Sequence, residues 1–178
     1  ANIVAHSREA YWVGADNIAR GVTWSEELYG SLTPLPWAMV LNPNGYSGSH
    51  QISALFAGGT LMASTGGGKL SVVNLADGTL VWQSTYYLDG PIVIDTNGPA
   101  TGGEQIVGLS SLGQPGAQLM RFTPDGARVA ESAWWPTPES EWSPFTPQLP
   151  TPVAGSGGFL YIVDQDGRVH AFRQQFEV

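Results

Sequence analysis

The sequence contains no cysteine in its 178 residues. That removes disulfides, thiolate metal sites and c-type haem attachment from consideration, and it is compatible with every compartment. Cations are also scarce. Seven Lys and Arg face 15 Asp and Glu, for a formal net charge of −8, and Lys69 is the single lysine. Such a balance argues against nucleic acid and against anionic membrane surfaces as partners. No apolar run approaches the ~20 residues that a spanning helix needs. No signal peptide is recognisable, and a start on Ala1 rather than Met fits processing or excision. Charged residues make up 12% of the chain and show no helical periodicity, so an all-α fold has no support.

What the chain does have is turns and apolar strands. There are 23 Gly and 13 Pro, yet 42% of residues are hydrophobic and seven are Trp, enough for a packed core rather than disorder. The expected class is all-β, with one short helix around residues 25–29. The stretch from Gly58 to Trp82 sets the pattern. Leu61 to Ser64 reads as a strand, Gly66-Gly67-Gly68 as a turn, and Leu70 to Asn74 as a second strand. Asp77-Gly78 then turns the chain into Thr79 to Trp82. An Asp-Gly pair flanked by β-type residues is a strong local hairpin signal. A meander this small cannot bury its own faces, so it requires neighbours of its kind.

The neighbours are visible as repeats. Moving Gly58–Asn74 forward by 99 positions lands on Gly157–Arg173 without a gap, with Leu61 on Leu160, Gly68 on Gly167 and Leu70 on Val169. A copy between them comes from moving Asp77-Gly78 by 48 onto Asp125-Gly126, preceded by Leu119-Met120-Arg121-Phe122. The spacing is thus about 50 residues, the period range of four-stranded propeller blades. Proline-led runs at Pro36, Pro91 and Pro152 each look like the start of a unit, because Pro at the first residue of a strand removes no central ladder bond. The expected organisation is one domain over 1–178, with units near 2–30 (partial), 35–85, 90–135 and 150–178 (partial). Equal positions should share equal burial, so Leu61, Leu70, Val72, Leu160, Val169 and Ala171 are all expected inside.

The order Gly-x-Leu, apolar strand, Gly turn, Leu-x-Val-Val, Asp-Gly, Leu-Val-Trp resembles the repeat of quinoprotein-type (PQQ-like) β-propellers. Gly59–Trp82 carries it best and Phe159–Phe172 is similar. The resemblance implies an all-β, propeller-like repeat of antiparallel meanders, about three to four blades and possibly part of a larger ring. It also implies work outside the cytoplasm, in the periplasm, at the cell surface or secreted. It implies no activity, since the quinoprotein enzymes use about eight blades to build a cofactor site that this chain is too short to form. Asp95-Thr96-Asn97-Gly98 with Glu104 to Gly108 is similar to the calcium-loop repeat of integrin-type propellers.

Asp95, Asn97 and Glu104 are accordingly the metal candidates, as hard oxygen ligands spaced along a Gly-containing loop that suits Ca²⁺. Pro99 stands where a further acid is expected, and the competing reading is a plain Asx-type turn with solvated acids. The three histidines, His6, His50 and His170, lack metal-site spacing. Gly66-Gly67-Gly68-Lys69 lacks the residues of a phosphate loop and sits between strands. No nucleophile elbow is present, and Glu26-Glu27 and Glu139/Glu141 read as solvated acids in polar stretches.

The segment from Trp134 to Pro152 sets Trp134, Trp135, Trp142 and Phe145 among six prolines. Proline stiffens the chain, and exposed aromatics on a stiff loop make a recognition surface; alternatively these side chains fold back under the blades. The reading that follows is a non-catalytic binding or assembly module contacting another protein, or the remaining blades of a larger assembly. A carbohydrate-binding or hydrolytic fragment using aromatic loops and possibly Ca²⁺ is the alternative. The last unit ends without its Asp-Gly-to-Trp strand, so an open edge and self-association through it are expected.

Overall fold

The computed structural model describes residues 2–25, 30–43, 53–65, 68–88, 92–96, 103–110, 118–131, 153–154, 159–163 and 169–173. The chain divides into two compact units, Ala1–Tyr86 and Tyr87–Val178. Every regular element of the described residues is a strand, and the strand pairings described are antiparallel. The short helix expected near residue 27 lies outside the described residues.

The first unit holds two sheets. β1 (Ile3–His6), β2 (Glu9–Val13), β3 (Ile18–Trp24) and β4 (Leu32–Val40) pair in sequence order. β5 (Ser53–Leu55), β6 (Leu61–Ser64), β7 (Lys69–Asn74) and β8 (Leu80–Tyr87) do the same. Sequential pairing is what short turns dictate, since a tight turn returns the chain to the side of the strand it has just left. The Asp77-Gly78 turn is one such device. Gly78 sits at φ 72°, its N–H donates to the Asn74 carbonyl at 2.8 Å, and Asp77 Oδ1 accepts the Thr79 N–H at 2.9 Å.

In the second unit, β9 (Ile92–Asp95), β10 (Gln105–Ser110), β11 (Gln118–Phe122) and β12 (Arg128–Glu131) form a four-stranded sheet. β13 (Val153–Ala154), β14 (Phe159–Val163) and β15 (Val169–Arg173) form a sheet of three. β11 stands 48 residues after β7 in register with the expected copy, and Gly126 keeps the positive φ of Gly78, at 94°. β14 and β15 fall where an offset of 99 puts them.

Two expectations require correction. The run from Pro36 to Val40 opens no unit, because it is the second half of β4 and closes the first sheet. Pro34 and Pro36 sit on the edge strand, where a missing donor costs no central ladder bond. The N-terminal run is therefore a full four-stranded sheet from Ile3 to Val40 rather than a partial unit, and the boundary expected near residue 35 falls inside a strand. Pro91 and Pro152 do immediately precede the first strands of their sheets.

The second correction concerns burial. Leu70 and Val72 are fully buried, whereas Leu61 is half-buried, Val169 is 63% exposed and Ala171 is exposed. The side chain of Leu160 lies outside the described ones. Burial belongs to the neighbour as much as to the strand. β7 lies between β6 and β8, and four consecutive residues, Leu70 to Val73, are buried, so both of its faces are covered. Among the described residues β15 has a strand on one side only.

The core of the first unit forms where its two sheets meet. Tyr11, Val13 and Ala19 from the first sheet pack with Met62, Val73 and Leu75 from the second, flanked by Leu35, Trp37 and Met39. Trp37 is the bolt of this contact. Its ring stacks on Tyr11 at 6.2 Å, its Nε1 donates to the Leu75 carbonyl at 3.1 Å, and a Cβ on Gly78 would come within 2.5 Å of it. Asn2 ties the first strands of the two sheets together by giving its Nδ2 to the Ser53 carbonyl and accepting the Ser53 N–H.

Candidate functional site

Asp95, the first of the expected calcium ligands, ends β9 and is buried. β10 pairs with β9 on one side and β11 on the other, with Gln105 opposite Asp95 and Arg121 opposite Val107. Alternation along the strands puts Asp95, Gln105 and Arg121 on one face of this sheet. The Arg121 guanidinium reaches across both strands. Nη2 donates to Asp95 Oδ2 at 2.9 Å and Nη1 donates to Gln105 Oε1 at 2.7 Å. Burial pulls the Arg121 guanidinium down from its ordinary value and the Asp95 carboxylate pushes it back up. Arginine so placed stays charged.

The cluster is two ions and an amide in the middle of a strand-rich core. Gln105 Nε2 is buried and has no hydrogen-bond acceptor among the described residues. An unmatched buried donor costs about 1–3 kcal/mol, so the amide is held by its Oε1 bond and by packing rather than by full satisfaction. Glu104 precedes β10 and is half-buried. Asn97 lies outside the described residues, as do the four aromatics Trp134, Trp135, Trp142 and Phe145. Among the described residues no group of three or more acids, histidines or cysteines is placed to hold a metal ion.

Chemically, the Asp95–Arg121 pair does structural work. Both groups are buried and bonded to each other, and a cation at Asp95 would have to displace or share with a guanidinium already within hydrogen-bond distance. Arg121 was legible only as part of the run Leu119-Met120-Arg121-Phe122. The signal that could have found it is a lone cation flanked by Met120 and Phe122 in an apolar strand, since an arginine there needs a buried acid.

On the surface, charge is used locally. Asp16 accepts from Arg20 at 3.0 and 2.5 Å across the turn between β2 and β3, and its carboxyl is lowered to about 2, chiefly by that hydrogen bond. Thr79 and Thr123 donate to Asp77 and Asp125 at the two Asp-Gly turns and hold those carboxyls below their ordinary range. Tyr11 is buried and donates its hydroxyl to Glu9; burial first, then Glu9, raises the phenol.

With the geometry in place, comparison with known proteins is decisive on family. A family model described as outer membrane protein assembly factor BamB, of PQQ-like repeats, matches residues 35–175. The chain belongs to this family. Among solved structures it is similar to the crystal structure of BamB from Moraxella catarrhalis, with a TM-score of 0.64 and 15% sequence identity. That match covers 98% of this chain and 45% of the other, so the chain spans less than half the length of that relative. At this identity the likeness shows the fold, a PQQ-like β-propeller built of antiparallel sheets. No curated protein matches the chain. No helix among the described residues is long and apolar enough to cross a membrane.

Proposed function

We propose that this BamB-family chain is a non-catalytic assembly module that works outside the cytoplasm and binds a protein engaged in building the outer membrane. The observation that carries the reading is the family match over residues 35–175, whose description is that of an assembly factor. The strand-rich framework supports it, because rigid stacked sheets hold loops at fixed positions and leave the loops free to vary. The segment best suited to recognition is the proline-rich run with Trp134, Trp135, Trp142 and Phe145, since aromatic side chains dominate binding energy at protein interfaces.

The test is a binding titration against purified, detergent-solubilised outer-membrane β-barrel proteins. The expected result is saturable binding that weakens by about tenfold or more when the four aromatics are replaced by alanine. Absence of binding, or binding indifferent to the four substitutions, would overturn the reading.

Calcium at Asp95, Asn97 and Glu104 is a separate proposal, favoured by the loop spacing and opposed by the Arg121 ion pair. If the ion binds the folded state, saturating Ca²⁺ raises the melting temperature by mass action. A melting temperature equal in calcium and in chelator leaves the loop as a turn.

A further inference from the structure

The two faces of the first sheet are both apolar, and among the described residues only one of them is packed against another sheet. Tyr11, Val13, Ala19 and Trp37 point towards the second sheet and form the core already described. The alternate residues point the other way. Register places Ile3 beside Trp12, Ile18 beside Val40 and Trp24 beside Leu32 on that second face, with Val22 in its middle. Ile3 is 71% and Leu32 65% exposed, Val40 is exposed, and Trp12, Val22 and Trp24 are half-buried. The one charged strand residue on this face is Arg20, which turns to Asp16. A contiguous apolar sheet face is not a surface that isolated proteins leave to water.

The chain itself shows what covers a face of this kind. The turns before β3 and β7 match: Asn17 and Gly68 both have positive φ, and each donates its N–H to the carbonyl three residues back, Gly14 and Thr65. Counting from these turns, Val22 in β3 corresponds to Val73 in β7. Val73 is fully buried, and what buries it is the Tyr11 face of the first sheet. The contact is head to tail, one kind of face meeting the other kind. Val22 therefore stands on the receiving face, and its counterpart is the giving face of another such sheet.

A second copy of the chain carries a candidate. On the last sheet Tyr161 sits opposite Ala171, with Val169 on the same face, and all three are exposed, with Phe159 stacked on Tyr161 at 6.1 Å. Val169 and Ala171 follow Leu70 and Val72 by 99 residues, and those two are fully buried. This exposed face thus occupies positions that the repeat buries elsewhere.

We propose that the outer face of the first sheet docks the last sheet of a second copy, in a head-to-tail contact between sheet faces rather than between strand edges. Such a heterologous contact closes into a ring or runs on as a chain of copies, depending on its rotation. It is independent of the proline-rich aromatic segment and goes beyond the partner reading above.

Sedimentation velocity over a dilution series tests it. The unsubstituted chain is expected to self-associate reversibly. Val22→Asp, and the more exposed Leu32→Asp as a second variant, should weaken association at least about tenfold, as should Val169→Asp, because each places a charge in an apolar contact. Mixing Val22→Asp with Val169→Asp should restore association, since one intact copy of each face remains. A chain that is monomeric at every concentration overturns the proposal. So does retained association in Val169→Asp alone, which would mark a symmetric contact of the first sheet with itself, and so does a mixture that stays monomeric. The fourfold aromatic variant should associate as the unsubstituted chain does, so loss of partner binding and loss of self-association are read separately. The absence of native cysteine permits a second readout. Leu32→Cys and Val169→Cys chains, labelled with donor and acceptor dyes, should transfer energy on mixing if the faces meet and show none if they do not.

Discussion

β7 and β15 are two copies of one strand, 99 residues apart, and they live in different surroundings. Leu70 and Val72 are fully buried, while Val169 and Ala171 stand in solvent. Nothing in their side chains accounts for this, since all four are small to medium apolar residues of the kind that strands accept. The difference lies in what lies over them. β7 is central in a four-stranded sheet and covered on both faces, and β15 borders a single described strand. A repeat specifies which face of a strand is apolar; what lies over that face decides whether it is inside.

The sharpest way to break the comparison is a charge at matched positions. Val72→Asp should destabilise by more than about 3 kcal/mol, because an unpaired carboxylate would stand where the side chain is fully buried. Ala171→Asp should stay within about 0.5 kcal/mol in dilute solution. Urea melts of the two variants check this, and similar losses in both would contradict it.

The middle copy sharpens the comparison differently. Val73 and Arg121 each stand four residues before an Asp-Gly turn, and both are buried. One position is filled by hydrocarbon, the other by a guanidinium with its acid and amide. Removing one partner strands the other, so Arg121→Met should cost about 3–5 kcal/mol. Replacing both groups, as Asp95→Val with Arg121→Met, should recover most of that, since an apolar pair needs no solvation. A double variant no better than Arg121→Met would show that the pair itself, not the stranded charge, carries the stability.

The two Asp-Gly turns invite a smaller test. Gly126→Ala should cost about 1–2 kcal/mol for an L-residue at positive φ. Gly78→Ala adds the displacement of the Trp37 ring, a further overpacking cost of about 1–3 kcal/mol. Equal losses would mean that Trp37 yields freely, and its stacking on Tyr11 would then be worth little.

The least effect comes from pH. Asp16, Asp77 and Asp125 all have carboxyls lowered in the folded chain. Lowered carboxyls bind fewer protons folded than unfolded, so their contribution is complete above the unfolded value of ~3.9. It is lost as the pH falls through the folded values, about 2 for Asp16. All three are exposed, so the contribution is small and weakens with salt. Thermal melts between pH 5 and pH 2 should fall slightly less steeply for Asp16→Asn than for the unsubstituted chain; identical slopes would discount the Arg20 pair.

Much of the fold was legible because strand period, turn chemistry and repeat spacing all act locally. Asp77-Gly78 and Asp125-Gly126 marked hairpins that are there, and the 99-residue offset located β14 and β15. The PQQ-like family was legible for the same reason. The full extent of the first sheet was not, because β4 carries Pro34 and Pro36 and so imitates a strand start, although an edge strand tolerates them as well. The contact partner of Trp37 was hidden too, since a bolt between sheets depends on residues 38 positions apart. At the candidate metal loop, spacing proposed Asp95 but could not reveal Arg121, which reaches it from 26 residues away.

Native-state hydrogen exchange in dilute solution tests most directly whether stacking of sheets, rather than strand sequence, sets the order of stability. The amides of Leu70, Val72 and Val73 should exchange only through global unfolding, while those of Val169 and Ala171 should exchange through local opening at markedly lower free energy. Equal protection of the two matched strands would contradict the account.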